Sequence, residues 1–250
     1  MNGQTIEIEV EDATLSVHTR GEGPPLVLLH GFTGCREDWV HLFELDALAR
    51  DYRLVMPDAR AHGHSTGAPD TFSHRRCAQD MLAILDALSI ERCRAIGLSL
   101  GGNTLLHAAT RAPERIASMV TIAAPSYFPE PARTIMRSFT EDTRSSEEWE
   151  VMRTRHPRGD DQIRDLWTIA RGFAEHHDDM AFTPPLLSTF RARTLIVTGD
   201  RDPLYPVEIF VDQYRAIPDA TLCVLPSGGH EAVFGPAKDF FVKTALDFLA

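Results

Sequence analysis

The feature that most limits the fold of this chain is a set of six short apolar runs separated by stretches of helix length. They are PLVLLH (Pro25–His30), RLVMP (Arg53–Pro57), CRAIGL (Cys93–Leu98), IASMVTIAA (Ile116–Ala124), TLIVTGD (Thr194–Asp200) and TLCVLPS (Thr221–Ser227). A run with no polar alternation is the pattern of a strand buried on both faces, as in a parallel sheet. Parallel neighbours need a crossover, and the intervening segments supply it. In CAQDMLAILDAL, residues Cys77, Met81, Ile84, Leu85 and Leu88 recur at helical spacing; PVEIFVDQYRAI and DFFVKTALDFL read as two further helices. The first two strand-like segments differ. TIEIEV (Thr5–Val10) and TLSVHT (Thr14–Thr19) alternate apolar and polar residues, which predicts a half-exposed antiparallel hairpin. The expected fold is α/β, a mostly parallel sheet of about eight strands flanked by helices.

The strand–helix rhythm breaks between residues 126 and 189. No strand candidate lies there, but Ile163, Leu166, Trp167, Ala170 and Phe173 share one helical face. The expected organisation is therefore a core domain of 1–125 and 190–250, with 126–189 as a helical lid or cap insertion. With 250 residues, 43% of them hydrophobic, the chain can bury one large core. A formal net charge of -11 argues against nucleic-acid or anionic-membrane partners, which require clustered Lys and Arg. The first residues lack the basic-then-apolar pattern of a secretory signal, and no apolar run reaches membrane-spanning length. Cys35, Cys77, Cys93 and Cys223 lack metal-type pairing. A cytoplasmic protein without metal or cofactor is expected; the oligomeric state is not readable.

The chemistry gathers around GLSLGG, Gly97–Gly102, where a strand-like run meets a helix-like one. A sharp strand-to-helix turn forces its middle residue into a strained conformation, and glycines on either side remove the Cβ atoms that would collide. Such a turn lifts the Ser99 hydroxyl above the strand end, beside amides that favour negative charge. The plainer alternative is a Gly-rich turn with a helix-capping serine. A serine nucleophile needs a base and a group to orient it. His230, after two glycines that let the backbone bend and just past the last strand, is the candidate base, although a surface-loop histidine has the same signature. GDRDP offers Asp200 and Asp202; Pro203 restricts Asp202 and fixes its loop, leaving turn formation to Asp200. His62 and His64 could form a metal pair but lack further ligands at sensible spacing. His176 and His177 end a charged helix.

With these residues in order, the chain resembles the α/β-hydrolase superfamily along nearly its whole length. HGFTG (His30–Gly34) looks like the oxyanion-loop motif, and DARAHGHS (Asp58–Ser65) like the family's D-x-R-G-x-G-x-S loop, with Ala61 where Gly is usual. GLSLG resembles the nucleophile elbow, while GDRD and GGH match the acid and histidine signatures in the order Ser, Asp, His. The resemblance implies that Ser99 is the nucleophile, His230 the base and Asp202 its orienting acid. It also implies that the backbone N–H groups of Phe32 and Leu100 hold the oxyanion, and that His30, Arg60 and His64 brace the loops.

Branches acting at saturated carbon carry Asp at the elbow, so a serine there implies acyl transfer. The expected activity is carboxylic-ester hydrolysis through an acyl-enzyme. Thioesterase, lactonase, perhydrolase and carbon–carbon hydrolase or lyase activities use the same residues. Asn103 stands where a pyruvate-eliminating branch carries Arg. An alternative of another class is a non-catalytic small-molecule-binding member of the fold. The insertion is rich in large apolar residues, and Phe32, Phe128, Met136, Phe139 and Trp167 are the expected substrate pocket. The expected partner is a neutral to apolar acyl compound.

Overall fold

A computed structural model describes residues 3–250. Eight strands form one sheet in the order β1-β2-β4-β3-β5-β6-β7-β8. They are β1 (Gln4–Val10), β2 (Ala13–Arg20), β3 (Pro25–Leu29), β4 (Arg53–Pro57), β5 (Cys93–Leu98), β6 (Ile116–Ile122), β7 (Arg193–Gly199) and β8 (Ala220–Leu225). β1 and β2 form the antiparallel hairpin, β2 joins β4 antiparallel, and the remaining pairs are parallel. The apolar runs are buried on both faces because alternate residues feed two cores. Val27, Leu29 and Ala95 pack with α2 (His74–Ala87) and α3 (Leu100–Arg111). Leu26, Leu28, Ile96 and Leu98 pack with α1 (Leu45–Asp51) and the C-terminal helix Lys238–Leu249. The fold class expected from the sequence is the one observed.

Between β6 and β7 the chain forms α4 (Glu130–Arg137), α5 (Ser146–Arg155), α6 (Asp160–Glu175) and α7 (Pro184–Leu187). Its one strand-like contact among the described residues is an isolated bridge between Tyr127 and Ala181. Ile163, Leu166, Trp167, Ala170 and Phe173 of α6 are all buried. The last two helices are α8 (Val207–Ala216) and α9 (Lys238–Leu249). No helix among the described residues is long and apolar enough to cross a membrane.

At the centre of the sheet, α3 lies almost against the strands. A Cβ on Gly101 would sit 2.1 Å from the Leu29 carbonyl oxygen, and one on Gly102 would sit 2.5 Å from Ala124 Cβ. Gly101 is required by the backbone of β3, and Gly102 by the Ala124 methyl.

Three buried histidines knit the loops above β3 and β4 to the insertion. His30 Nδ1 donates to the Gly31 carbonyl at 2.8 Å, and its Nε2 accepts from Ala59 N–H at 3.0 Å. His62 Nδ1 donates to Arg60 O at 2.9 Å, and its Nε2 accepts from Thr33 N–H at 3.2 Å. His156, just past α5, donates from Nε2 to Thr33 O at 3.1 Å and accepts from Gly63 N–H at Nδ1 at 3.0 Å. Thr33 thus has both backbone polar groups held by imidazoles while adopting a left-handed φ of 62°. Each ring serves one donor and one acceptor, an arrangement open only to neutral imidazole. Burial, with the neighbouring His30 in both cases, pushes His62 well below its ordinary value and His156 down to about 4; Asp58 near His156 opposes this.

Two outcomes follow. Gly101→Ala loses about 2–3 kcal/mol in urea unfolding, because the obstacle is backbone, whereas Gly229→Ala changes stability by about 0.5 kcal/mol or less, since a Cβ there meets nothing within 4 Å. The unfolded chain protonates His156 near 6.5, whereas the folded chain resists until about 4. Its contribution is therefore whole above pH 6.5 and is lost as pH falls toward 4. Thermal melts across that range fall with acidification, and fall less steeply in His156→Gln, which retains a donor and an acceptor but does not titrate.

Candidate active site

The elbow is built at the C-terminal end of β5. Ser99 has φ 48° and ψ -106°, a strained conformation for a residue with a Cβ. It is held by its N–H donating to Ile122 O at 2.7 Å, and by Gly101 N–H donating to His30 O at 3.1 Å. A Cβ on Gly97 would lie 2.4 Å from the Gly101 carbonyl carbon, so the turn closes only around glycine.

Asp202 and His230 arrive on the loops after β7 and β8. These loops cross so closely that a Cβ on Gly199 would lie 2.1 Å from Gly228 O. Of the two glycines before His230, Gly228 serves this approach, while a Cβ on Gly229 would meet nothing within 4 Å; the left-handed bend falls on Ser227, with φ 57°. His230 Nε2 lies 3.0 Å from Ser99 Oγ, and its Nδ1 lies 2.8 Å from Asp202 Oδ2. The Asp202 side chain is fully buried, and its Oδ1 accepts the N–H groups of Leu204 at 2.8 Å and Tyr205 at 3.3 Å. With the carboxylate fixed, Nδ1 carries the proton and Nε2 is free to accept from the Ser99 hydroxyl.

A cavity of about 210 Å³ opens over Ser99 and His230. Phe32 and Leu100 line it, and their N–H groups have no acceptor among the described residues. Phe128, Met136 and Phe139 from the insertion also line it. Trp167 does not, and this corrects the sequence expectation. It packs edge-on against Trp149 with ring centroids 4.6 Å apart and borders a neighbouring recess with Arg144 and Arg155. The residues that α6 turns toward the cavity are Ala170, less than a turn past Trp167, and Phe173, in the turn after it. Helical spacing marks a residue as buried without saying which neighbour buries it.

Sequence reasoning missed His74 and Tyr205 as lining residues. His74 sits at i, i+3, i+7 with Cys77 and Met81, so the apolar stripe of α2 could have flagged it. Tyr205 is buried and meets the His230 ring edge-on at 5.4 Å; burial, with Asp202 adding to it, raises its hydroxyl far above the usual phenol range. His30, Arg60 and His64 do not line this cavity. Arg60 is buried in a fork with Asp80 at 2.6 and 2.8 Å, and His64 is an exposed neighbour of Asp58. Ala61 adopts φ 64°, the conformation that glycine takes without strain. No group of three or more metal-ligating side chains occurs among the described residues.

The site can be set beside known proteins. A model of the family described as alpha/beta hydrolase fold matches residues 24–145. The chain is 30% identical over 237 residues to a dihydrolipoyllysine-residue acetyltransferase component of an acetoin cleaving system from Pseudomonas putida, covering 83% of this chain but only 59% of that protein. A hydrolase structure from Pseudomonas aeruginosa PA01 superposes with a TM-score of 0.80 at 22% identity, covering 98% of both chains. The protein named "Putative carbamate hydrolase RutD" from Pseudomonas savastanoi pv. phaseolicola is 30% identical over 91% of this chain and 94% of its own length. A likeness that runs the length of both chains, joined to the sheet order and the family-model match, makes this chain a member of the α/β-hydrolase family.

Proposed function

We propose that the protein is a serine hydrolase that cleaves a carboxylic ester through an acyl-enzyme. The observation that carries this reading is the continuous relay from Ser99 Oγ to His230 at 3.0 Å and from His230 to Asp202 at 2.8 Å, opening on a cavity. Ser99 Oγ attacks the ester carbonyl as its proton passes to His230 Nε2, and Asp202 stabilises the resulting imidazolium. The N–H groups of Phe32 and Leu100 receive the oxyanion, each such donor lowering the barrier by about 3 kcal/mol. Collapse of the tetrahedral intermediate expels the alcohol, which takes the proton from His230. Water then attacks the acyl-enzyme with His230 again as base, releasing the acid and restoring Ser99.

In this reading, residues 126–189 are the cap that shapes the substrate site, because they contribute Phe128, Ile135, Met136, Phe139, Ala170 and Phe173 to the cavity wall. No Lys or Arg lines that wall, which favours a neutral acyl substrate. The free thiols of Cys35, Cys77, Cys93 and Cys223 fit a reducing, cytoplasmic setting.

A fluorophosphonate probe should label the wild-type protein on Ser99 and leave Ser99→Ala unmodified, as read by peptide mass spectrometry. Equal labelling of the two proteins, or none of either, removes the nucleophile from this account. His230→Ala should lower kcat/KM for a p-nitrophenyl ester by roughly 10³-fold or more; retained activity would mean that another group is the base.

A further inference from the structure

A second histidine–carboxylate pair faces the same cavity and takes no part in the steps above. His74 opens α2, is 2% exposed, and places its Nδ1 2.7 Å from Asp179 Oδ2. Asp179 also accepts the backbone N–H of His74 at 2.7 Å and that of Arg75 at 3.2 Å. Burial alone would raise the Asp179 carboxyl, but the bonds from His74 and Arg75 outweigh it and hold the group ionised. The carboxylate therefore occupies Nδ1–H and leaves Nε2 as the ring's remaining polar atom. That atom has no protein partner among the described residues, and the ring lines the cavity against Phe173 and Phe128, with centroids at 4.6 and 5.4 Å.

Asn103 belongs to the same wall. It is 1% exposed, and its Oδ1 lacks a hydrogen-bond partner. A buried polar atom left unpaired, as Asn103 Oδ1 is, is costly, and an apolar side chain would fill that place without the cost. His74 Nε2 adds an unpartnered acceptor to the same wall. No Lys or Arg lines the wall and Glu231 does, so a formally anionic group finds no fixed counter-charge. A hydroxyl has one hydrogen to give. It donates to His74 Nε2 while accepting from the Asn103 amide N–H, or, if His74 takes a proton, accepts from Nε2–H and donates to the unpaired Asn103 Oδ1.

We propose that His74, oriented by Asp179, and Asn103 are specificity-determining residues that bind a hydroxyl group carried by the substrate. This deepens the hydrolase reading, since it rests on the Ser99 cavity being where substrate binds. The hydroxyl belongs to the acyl or to the alcohol portion, and the test has an arm for each.

The experiment compares p-nitrophenyl hexanoate with its ω-hydroxy counterpart, and hexyl acetate with its ω-hydroxy counterpart. The wild-type protein should favour the hydroxylated member of one pair by about 10- to 100-fold in kcat/KM. His74→Phe should bring that ratio to about one, and His74→Gln should recover part of it, because an amide still hydrogen-bonds. A brace that merely ties α2 to the insertion would lower both members together and leave the ratio intact. An unchanged ratio in His74→Phe, or no preference in either pair, overturns the proposal. If no ester is turned over, or if Ser99→Ala retains turnover, the hydrolase reading fails separately. The hydroxyl site is then judged by calorimetric titration of Ser99→Ala with the same compounds. Tighter binding of a hydroxylated member that disappears on adding His74→Phe upholds the site; equal affinities overturn it.

Discussion

The close seating of the β5–α3 turn between its neighbours is the constraint on which the rest of this structure depends. Ser99 is held at φ 48° because its N–H is taken by β6 and the Gly101 N–H by the loop after β3. A Cβ on Gly101 would collide with Leu29 of β3, and one on Gly97 would collide with the Gly101 backbone and keep the turn from closing. Strain of this kind costs on the order of 1–3 kcal/mol and persists only where surrounding structure over-determines the conformation. A parallel sheet buried on both faces provides that surround, and it aligns the ends of β3, β5, β7 and β8 on one side. The serine, the carboxylate and the imidazole consequently meet beyond one end of these strands.

A second layer of control comes from outside the sheet. The loop carrying Phe32 passes through Thr33, whose N–H and carbonyl are held by His62 and His156. His156 lies just past α5, so the chain between β6 and β7 helps hold the loop that brings Phe32 to the cavity wall. The polar groups involved are buried and neutral; charge on either ring would set a donor against a donor. The contacts to Thr33 are therefore organised by hydrogen-bond direction between neutral groups.

Much of the fold is legible in the sequence because its signals are local. The apolar runs at Pro25, Arg53, Cys93, Ile116, Thr194 and Thr221 each start within one residue of an observed strand. Short periodic patterns report burial and extended geometry without knowledge of distant residues. The loops carrying Ser99, Asp202 and His230 are equally visible, since each follows an apolar run and carries Gly or Pro beside a reactive side chain. Cavity walls are different. Trp167 and Phe173 share a helical face and are both buried, yet only Phe173 reaches the cavity. That distinction depends on how α6 is rotated against α4 and α5, which no pattern within α6 encodes.

The sequence by itself determined the parallel sheet, the hairpin at its edge, the elbow and the order in which the reactive residues arrive. These follow from side-chain period, glycine placement and chain order, all of them properties of neighbouring residues. Only the tertiary structure decided that 131 positions along the chain separate two atoms in hydrogen-bond contact, that His74 and Asn103 share a wall, and that Trp167 is turned away. Such facts depend on the packing of one element against another. The free energy that selects one packing arrangement is summed over many long-range contacts and is written in no single stretch of sequence.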